Sequence, residues 1–244
     1  MRSLFRHRPG RPGPRKAPAP PPGPGQGRRV LFVGNSLTYA NDMPFIVQAL
    51  AKSAGEKLDV AQETLGGANL EDHWKHGGAR RRIEEGGWSV VVLQQGPSSL
   101  PENREQLRES TRKFAERIEK VGARPALYMV WPDTSRLAFF DQVRESYALA
   151  AADVSGMLFP AGEAWRAAWQ RDPRVPLYRP DGLHPSPLGS YTAALSIYGI
   201  LYGRPLQGLP AQLRLRKGAV QVPPGLAALL QEAATEANEK FGKS

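Results

Sequence analysis

From Arg29 onward, short unbroken apolar runs alternate with longer stretches in which apolar residues recur at helical spacing. The runs Arg29–Val33, Leu58–Thr64, Ser89–Leu93, Ala126–Trp131 and Gly156–Phe159 predict five strands. Val90-Val91-Val92-Leu93 lacks any polar alternation, as expected of a strand covered on both faces. Between the runs, Pro44–Ala54 carries Phe45, Ile46, Ala49 and Leu50 at helical spacing and stops at Gly55. A polar helix with Ile83 near its end is predicted after Gly66-Gly67. Further helices are predicted at Glu102–Val121, Leu137–Ala152, Glu163–Gln170, Pro187–Tyr202 and Gly225–Phe241.

Strands that alternate with helices imply right-handed crossovers and a parallel sheet between helical layers. In such sheets, sites form in the loops that leave the carboxyl ends of the strands. Ser36, Gly67, Gln94 and Trp131 each follow a predicted strand, so topology alone brings them to one edge.

The first 28 residues break this pattern. They hold eight prolines and no apolar periodicity, which predicts a disordered tail ahead of a domain spanning 29–244. The tail also changes how the net charge of +10 reads. Residues 1–29 carry eight Lys or Arg and no acid, so the remainder has 25 basic and 23 acidic residues, close to neutral. A basic tail on a neutral domain is weak support for a nucleic-acid partner.

The chain has no cysteine, which excludes disulfides, thiolate nucleophiles and Cys-based zinc sites. The N-terminal region is too rich in Arg and Pro for the apolar core of a secretory signal, roughly 7–15 residues long. Tyr191–Tyr202 is interrupted by Thr, Ser and Gly and falls short of the ~18 residues of a membrane span. The expectation is a cytoplasmic protein without a membrane span. Residues 1–28 equally fit an extension upstream of the true start.

Two motifs carry candidate chemistry. Val30-Leu31-Phe32-Val33-Gly34-Asn35-Ser36 ends a strand with a serine, a candidate nucleophile. Asp181-Gly182-Leu183-His184-Pro185 sets a carboxylate three residues before a histidine, in a turn that lets the acid fold back onto the ring. Serine hydrolysis needs a base for the hydroxyl proton, a group that orients the base, and donors for the oxyanion. Ser36, His184 and Asp181 fit the nucleophile, base and orienting group. Each motif also has a plainer reading, as a helix cap after a strand and a turn before a helix capped by Ser186.

The chain resembles the SGNH (GDSL-like) hydrolases, particularly a bacterial subgroup in which Gly-Asn-Ser replaces the commoner Gly-Asp-Ser. The resemblance covers residues 29 to about 205, in three blocks: Phe32–Thr38, Leu65-Gly66-Gly67-Ala68-Asn69-Leu70, and Asp181–Ser186. It implies a three-layer α/β/α sandwich with a five-stranded parallel sheet, flavodoxin-like in layout. It also implies a serine esterase that works through an acyl-enzyme, without cofactor or metal. Its partner would be a small-molecule or glycan ester.

Carried over, Ser36 and Gly67 offer backbone N–H groups to the oxyanion, with Gly66 as the alternative to Gly67. The family's third donor is an asparagine after strand three, and this chain has none before Asn103. Gln94 is the expected replacement, with Gln95 and Ser98 as alternatives. Asn35, Trp131 and His73 are candidate substrate contacts, Trp131 reading equally as a packing side chain before a turn. His73 and His76, three apart, otherwise read as exposed helix histidines rather than a metal pair. The missing asparagine keeps a non-catalytic carbohydrate- or ligand-binding module open, and the triad itself leaves an acyltransferase open.

Overall fold

The structure, a computed structural model, describes residues 27–243. The expectation of a disordered tail falls on residues 1–26, outside the described ones, except at its boundary. Arg28, assigned to the tail from sequence, already belongs to the first strand.

Five strands form one parallel sheet in the order β2-β1-β3-β4-β5. They are β1 (Arg28–Gly34), β2 (Leu58–Thr64), β3 (Val90–Leu93), β4 (Arg124–Tyr128) and β5 (Met157–Phe159). This is the flavodoxin-like order, and its switch point lies between β1 and β3, where successive connections leave in opposite directions. All four residues of β3 are buried, as their unbroken apolarity predicted. In β1 the last five residues are buried and pair with both neighbours, Val33 with Glu63 of β2 and with Leu93 of β3.

Helices cover both faces of the sheet. One group comprises α2 (Met43–Ser53), α7 (Ala161–Arg171), α8 (Pro187–Tyr202) and α9 (Pro224–Phe241). The other comprises α3 (Leu70–His76), α4 (Gly78–Glu84), α5 (Pro101–Lys120) and α6 (Phe140–Asp153). Helix α5 buries Leu107, Phe114 and Ile118 and leaves its charged positions outward. Helix α8 differs: twelve of its sixteen residues are buried, so it runs through the core.

The fourth strand, predicted over Ala126–Trp131, is shifted to Arg124–Tyr128, and the structure departs from the predicted elements at four further places. The polar helix after Gly67 is two helices, because Gly77 takes φ +83° and ends α3. The helix predicted from Leu137 starts at Phe140; Thr134–Phe139 is a 3-10 segment opened by the Asp133 side chain, which accepts from Ser135 N–H. A short helix, α1 (Ser36–Tyr39), follows β1 directly. A small antiparallel hairpin, β6 (Gln212–Arg214) and β7 (Ala219–Gln221), precedes α9. Each of its strands buries a single residue between two exposed ones, too little apolar pattern to stand out in sequence, unlike the fully buried β5. Among the described residues no helix is long and apolar enough to cross a membrane.

Candidate functional site

At the end of β1 the backbone passes through Gly34, where a Cβ would collide with the Gln94 and Thr38 side chains. That close approach explains the glycine of the Gly-Asn-Ser run. Asn35 caps α1, its Oδ1 accepting from Leu37 N–H at 3.0 Å. Its Nδ2 donates to the Ala68 carbonyl at 3.0 Å, which ties the loop after β2 to the start of α1. Ser36 is then the first residue of α1 and only partly buried.

The second segment arrives from far along the chain. Leu177–Ser186 folds back on itself: Ser186 N–H donates to Leu177 C=O, and Arg179 N–H to His184 C=O, both at 2.8 Å. Between them Gly182 takes φ +68° and closes a turn onto Arg179 C=O. A side chain at Gly182 would collide with Thr134, whose N–H donates to the Gly182 carbonyl at 2.9 Å. Asp181 Oδ1 accepts the backbone N–H groups of Leu183 and His184, each at 2.9 Å. Its Oδ2 lies 2.8 Å from His184 Nδ1. The two amides and then the imidazole hold the Asp181 carboxyl down at about 2, well below its ordinary value.

His184 Nε2 lies 2.9 Å from Ser36 Oγ. An ionised carboxylate only accepts, so in the neutral ring Nδ1 carries the proton and donates to Asp181. Nε2 is left as an acceptor facing the serine hydroxyl. The three residues named from sequence therefore meet in one hydrogen-bonded line, although 148 positions separate the serine from the histidine.

Two backbone amides are unpaired among the described residues, one on the serine itself and one in the loop that Asn35 ties to α1 through the Ala68 carbonyl. Ser36 N–H, in the first turn of α1, and Gly67 N–H have no acceptor among the described residues. Gly67 takes φ +70° in the turn Leu65–Ala68, and the space where its Cβ would lie is open.

The remaining sequence candidates land elsewhere, and each departure has a physical reason. Gln94 does not reach the site. It is fully buried; its Oε1 accepts from Asn35 N–H at 2.9 Å and from the Thr38 hydroxyl at 2.7 Å. Its Nε2 donates to Asn35 Oδ1 and to the Gln95 carbonyl, so no amide proton is left for an oxyanion. The alternatives are engaged as well: Gln95 accepts from Leu70 N–H and donates to Ser98 Oγ, while Ser98 Oγ donates to Gly96 C=O. Asn35 is buried, with its amide oxygen and nitrogen both engaged in bonds that hold the start of α1 against the loop after β2.

His73, expected on an exposed face or against substrate, is buried under the sheet edge. Its Nε2–H donates to Gly34 C=O at 2.8 Å, and burial pushes its imidazole below the ordinary value. Among the described residues no cluster of three or more His, Asp or Glu is arranged to hold a metal ion. Trp131, weighed as a pocket wall, is fully buried and stacked on Trp165, with ring centroids 3.4 Å apart. Its Nε1–H donates to Leu183 C=O at 3.0 Å, so it props the histidine loop from below. Tyr178, packed edge-on against Trp165, donates to the Pro132 carbonyl and completes that floor.

The supporting roles of Thr38, Ala68 and Thr134 were not legible in sequence. Thr38 carried the one available signal, since a hydroxyl two residues after a strand-end serine is placed to fold back on the strand.

The sequence matches no protein-family model and no curated protein. Solved structures do match. A DUF4886 family protein from Bacteroides uniformis superposes with a TM-score of 0.74 at 18% identity, covering 88% of this chain and 96% of that one. An acetyl-xylooligosaccharide esterase from Geobacillus gives a TM-score of 0.59 at 15% identity, covering 73% and 95%. At such identities the likeness concerns the fold alone. A Slackia heliotrinireducens protein assigned to the SGNH hydrolases goes further, being 30% identical over 71% of this chain and 98% of its own, with a TM-score of 0.59. Identity at that level over nearly the whole of a relative means that the chain belongs to the SGNH (GDSL-like) hydrolase family.

Proposed function

We propose that this protein is a serine esterase that cleaves an O-acyl ester through Ser36, His184 and Asp181. The observation that carries the reading is the continuous line Ser36 Oγ, His184 Nε2, His184 Nδ1, Asp181 Oδ2, with contacts of 2.9 and 2.8 Å. Ser36 Oγ attacks the ester carbonyl carbon while its proton passes to His184 Nε2. The carbonyl oxygen gains the negative charge, and the N–H groups of Ser36 and Gly67 stabilise it. Collapse breaks the bond to the alcohol oxygen, which takes the proton from Nε2 and leaves. Water then gives a proton to His184 and attacks the acyl-Ser36 ester, and the reverse collapse frees the acid and restores the serine. Asp181 stays ionised, fixes the ring tautomer and stabilises the transient imidazolium.

With Gln94 committed to the scaffold, the oxyanion site in this reading consists of two backbone donors. Each such donor typically contributes about 10²–10³ in kcat. The pre-formed serine–histidine contact favours a catalyst over a binding module, because a module has no need of a base at that distance. The substrate is a small-molecule or glycan ester, read from the esterases among the structural relatives.

A fluorophosphonate probe tests the reading directly. Stoichiometric labelling mapped to Ser36, with burst release from p-nitrophenyl acetate that disappears in Ser36→Ala, is the expected result. An unlabelled wild type that hydrolyses nothing on a broad ester panel would overturn it.

A further inference from the structure

Between α1 and α2 the chain runs through Ala40–Asp42, where Asn41 and Asp42 take φ +54° and +55°. Two successive non-glycine residues in the left-handed region are unusual, because each Cβ crowds the following carbonyl oxygen. Such strain persists only where the surroundings over-determine it, and it gathers at functional sites. Here the surroundings are the bonds of one side chain. Asn41 Nδ2 donates to the Pro185 carbonyl at 2.9 Å and to Ser190 Oγ at 2.8 Å. Its Oδ1 accepts from the Arg179 guanidinium at 2.8 Å. Ser190, fully buried, in turn donates to Ala40 C=O at 3.3 Å.

Pro185 directly follows His184, and Arg179 N–H donates to the His184 carbonyl. One primary amide, five residues after Ser36, therefore grips the histidine loop on both flanks. The position needs two donors and an acceptor on a short side chain that tolerates left-handed backbone, a combination asparagine supplies. A carboxylate has no donor for Pro185, and glycine has neither.

We infer that Asn41 is a positioning residue that sets the separation between Ser36 Oγ and His184 Nε2. It rests on the reading of those two residues as nucleophile and base. Left-handed backbone at position 41 is the means by which the segment after the nucleophile aims its amide across to the loop of the base.

The experiment compares wild type with Asn41→Gly and Asn41→Asp. Glycine keeps the backbone conformation at no steric cost and deletes all three side-chain bonds. The expected result is kcat on p-nitrophenyl acetate lowered about 10- to 100-fold, with KM within about twofold, since misplacement of a reacting group acts on chemistry rather than on binding. Asn41→Asp should not restore kcat. A second readout needs no turnover: the proton resonance of His184 Nδ1–H, assigned by its loss in His184→Ala, should be sharp in wild type and broadened in Asn41→Gly. Wild-type kcat with an unchanged resonance would overturn the inference. So would a fall in kcat that tracks a lowered Tm while the resonance stays sharp, the mark of a merely structural role. If the wild type is unreactive toward fluorophosphonate and esters, the esterase reading fails, and the resonance alone decides the role of Asn41.

Discussion

Ser36 stands on a floor of buried polar groups, whereas Asp181 and His184 stand on a loop whose side chains remain 49% and 31% exposed. Beneath the serine, Asn35, Thr38 and Gln94 are within 6% of complete burial and satisfy one another. Around the histidine the loop is held by its own turn bonds, by single bonds from Trp131 and Thr134, and by the Asn41 amide at Pro185 and Arg179. A buried polar network is costly to break, because each orphaned group keeps its desolvation penalty. A half-exposed loop loses little when one bond is removed, since water replaces the partner. The two halves of the site should therefore fail differently: the nucleophile side through stability, the base side through catalysis with the fold intact.

The largest expected effect is common to both halves. Ser36→Ala and His184→Ala should each lower ester hydrolysis by about 10⁴-fold or more with Tm nearly unchanged, and the double variant should lose little beyond either single one. Additive losses in a stopped assay would mean that the two residues do not act as a unit.

Asp181→Asn probes the base side alone. The amide can still accept the Leu183 and His184 N–H groups, but it presents a donor to the ring and favours the wrong tautomer. A fall in kcat of up to about 10⁴-fold with the protein still folded is expected. The native carboxyl is held at about 2 in the fold, below the ordinary carboxylate range of an unfolded chain. Its contribution to stability is therefore fully present above about pH 4 and is lost as pH falls through about 2. An acid melt in which Asp181→Asn removes no part of the loss between pH 4 and 2 would contradict that assignment.

Trp131→Phe removes the indole N–H from the Leu183 carbonyl and keeps an aromatic ring on Trp165. If the base side is separable, kcat should fall about fivefold, a net hydrogen bond of about 1 kcal/mol appearing in the chemical step. A drop in Tm without a drop in kcat would place Trp131 with the core instead.

On the nucleophile side the balance reverses. Gln94→Leu orphans the Asn35 N–H and the Thr38 hydroxyl, at about 1–3 kcal/mol each. In a domain of this size, each kcal/mol lowers Tm by about 2–4 °C. A thermal melt that moves by less than a degree would show the network to be dispensable.

The smallest effect concerns His73, buried neutral with its proton on the Gly34 carbonyl. Its folded value lies below that of the unfolded chain, so the unfolded state binds protons first and stability declines as pH falls below about 6.5. His73→Gln should flatten the slope of Tm against pH in that window, and an unchanged slope would remove His73 from the acid response.

Much of this was visible along the chain. The unbroken Val90–Leu93 run marked a strand covered on both faces, and Leu58–Thr64 and Pro187–Tyr202 begin and end where the spacing put them. Ser36, Asp181 and His184 were named because their residue types, at strand end and turn, suit one reaction. Gln94 and His73 were misread, and Trp131 was left open between packing and a pocket wall, for a shared reason. Each has a polar group that could serve a substrate, and nothing local says whether a backbone group will claim it first. The break at Gly77 was open to a reading as a helix cap, whereas the hairpin of β6 and β7 buries one residue per strand and so leaves no apolar run.

Periodicity and topology by themselves settled a parallel α/β sheet with its strand-end loops on one edge, because burial of apolar faces and the handedness of crossovers leave few alternatives. Only the tertiary structure decided which amide, indole and imidazole groups remain at the candidate site and which are spent on the scaffold. That depends on donors and acceptors meeting across dozens of residues, and a hydrogen bond formed on folding leaves no trace in the spacing of the chain.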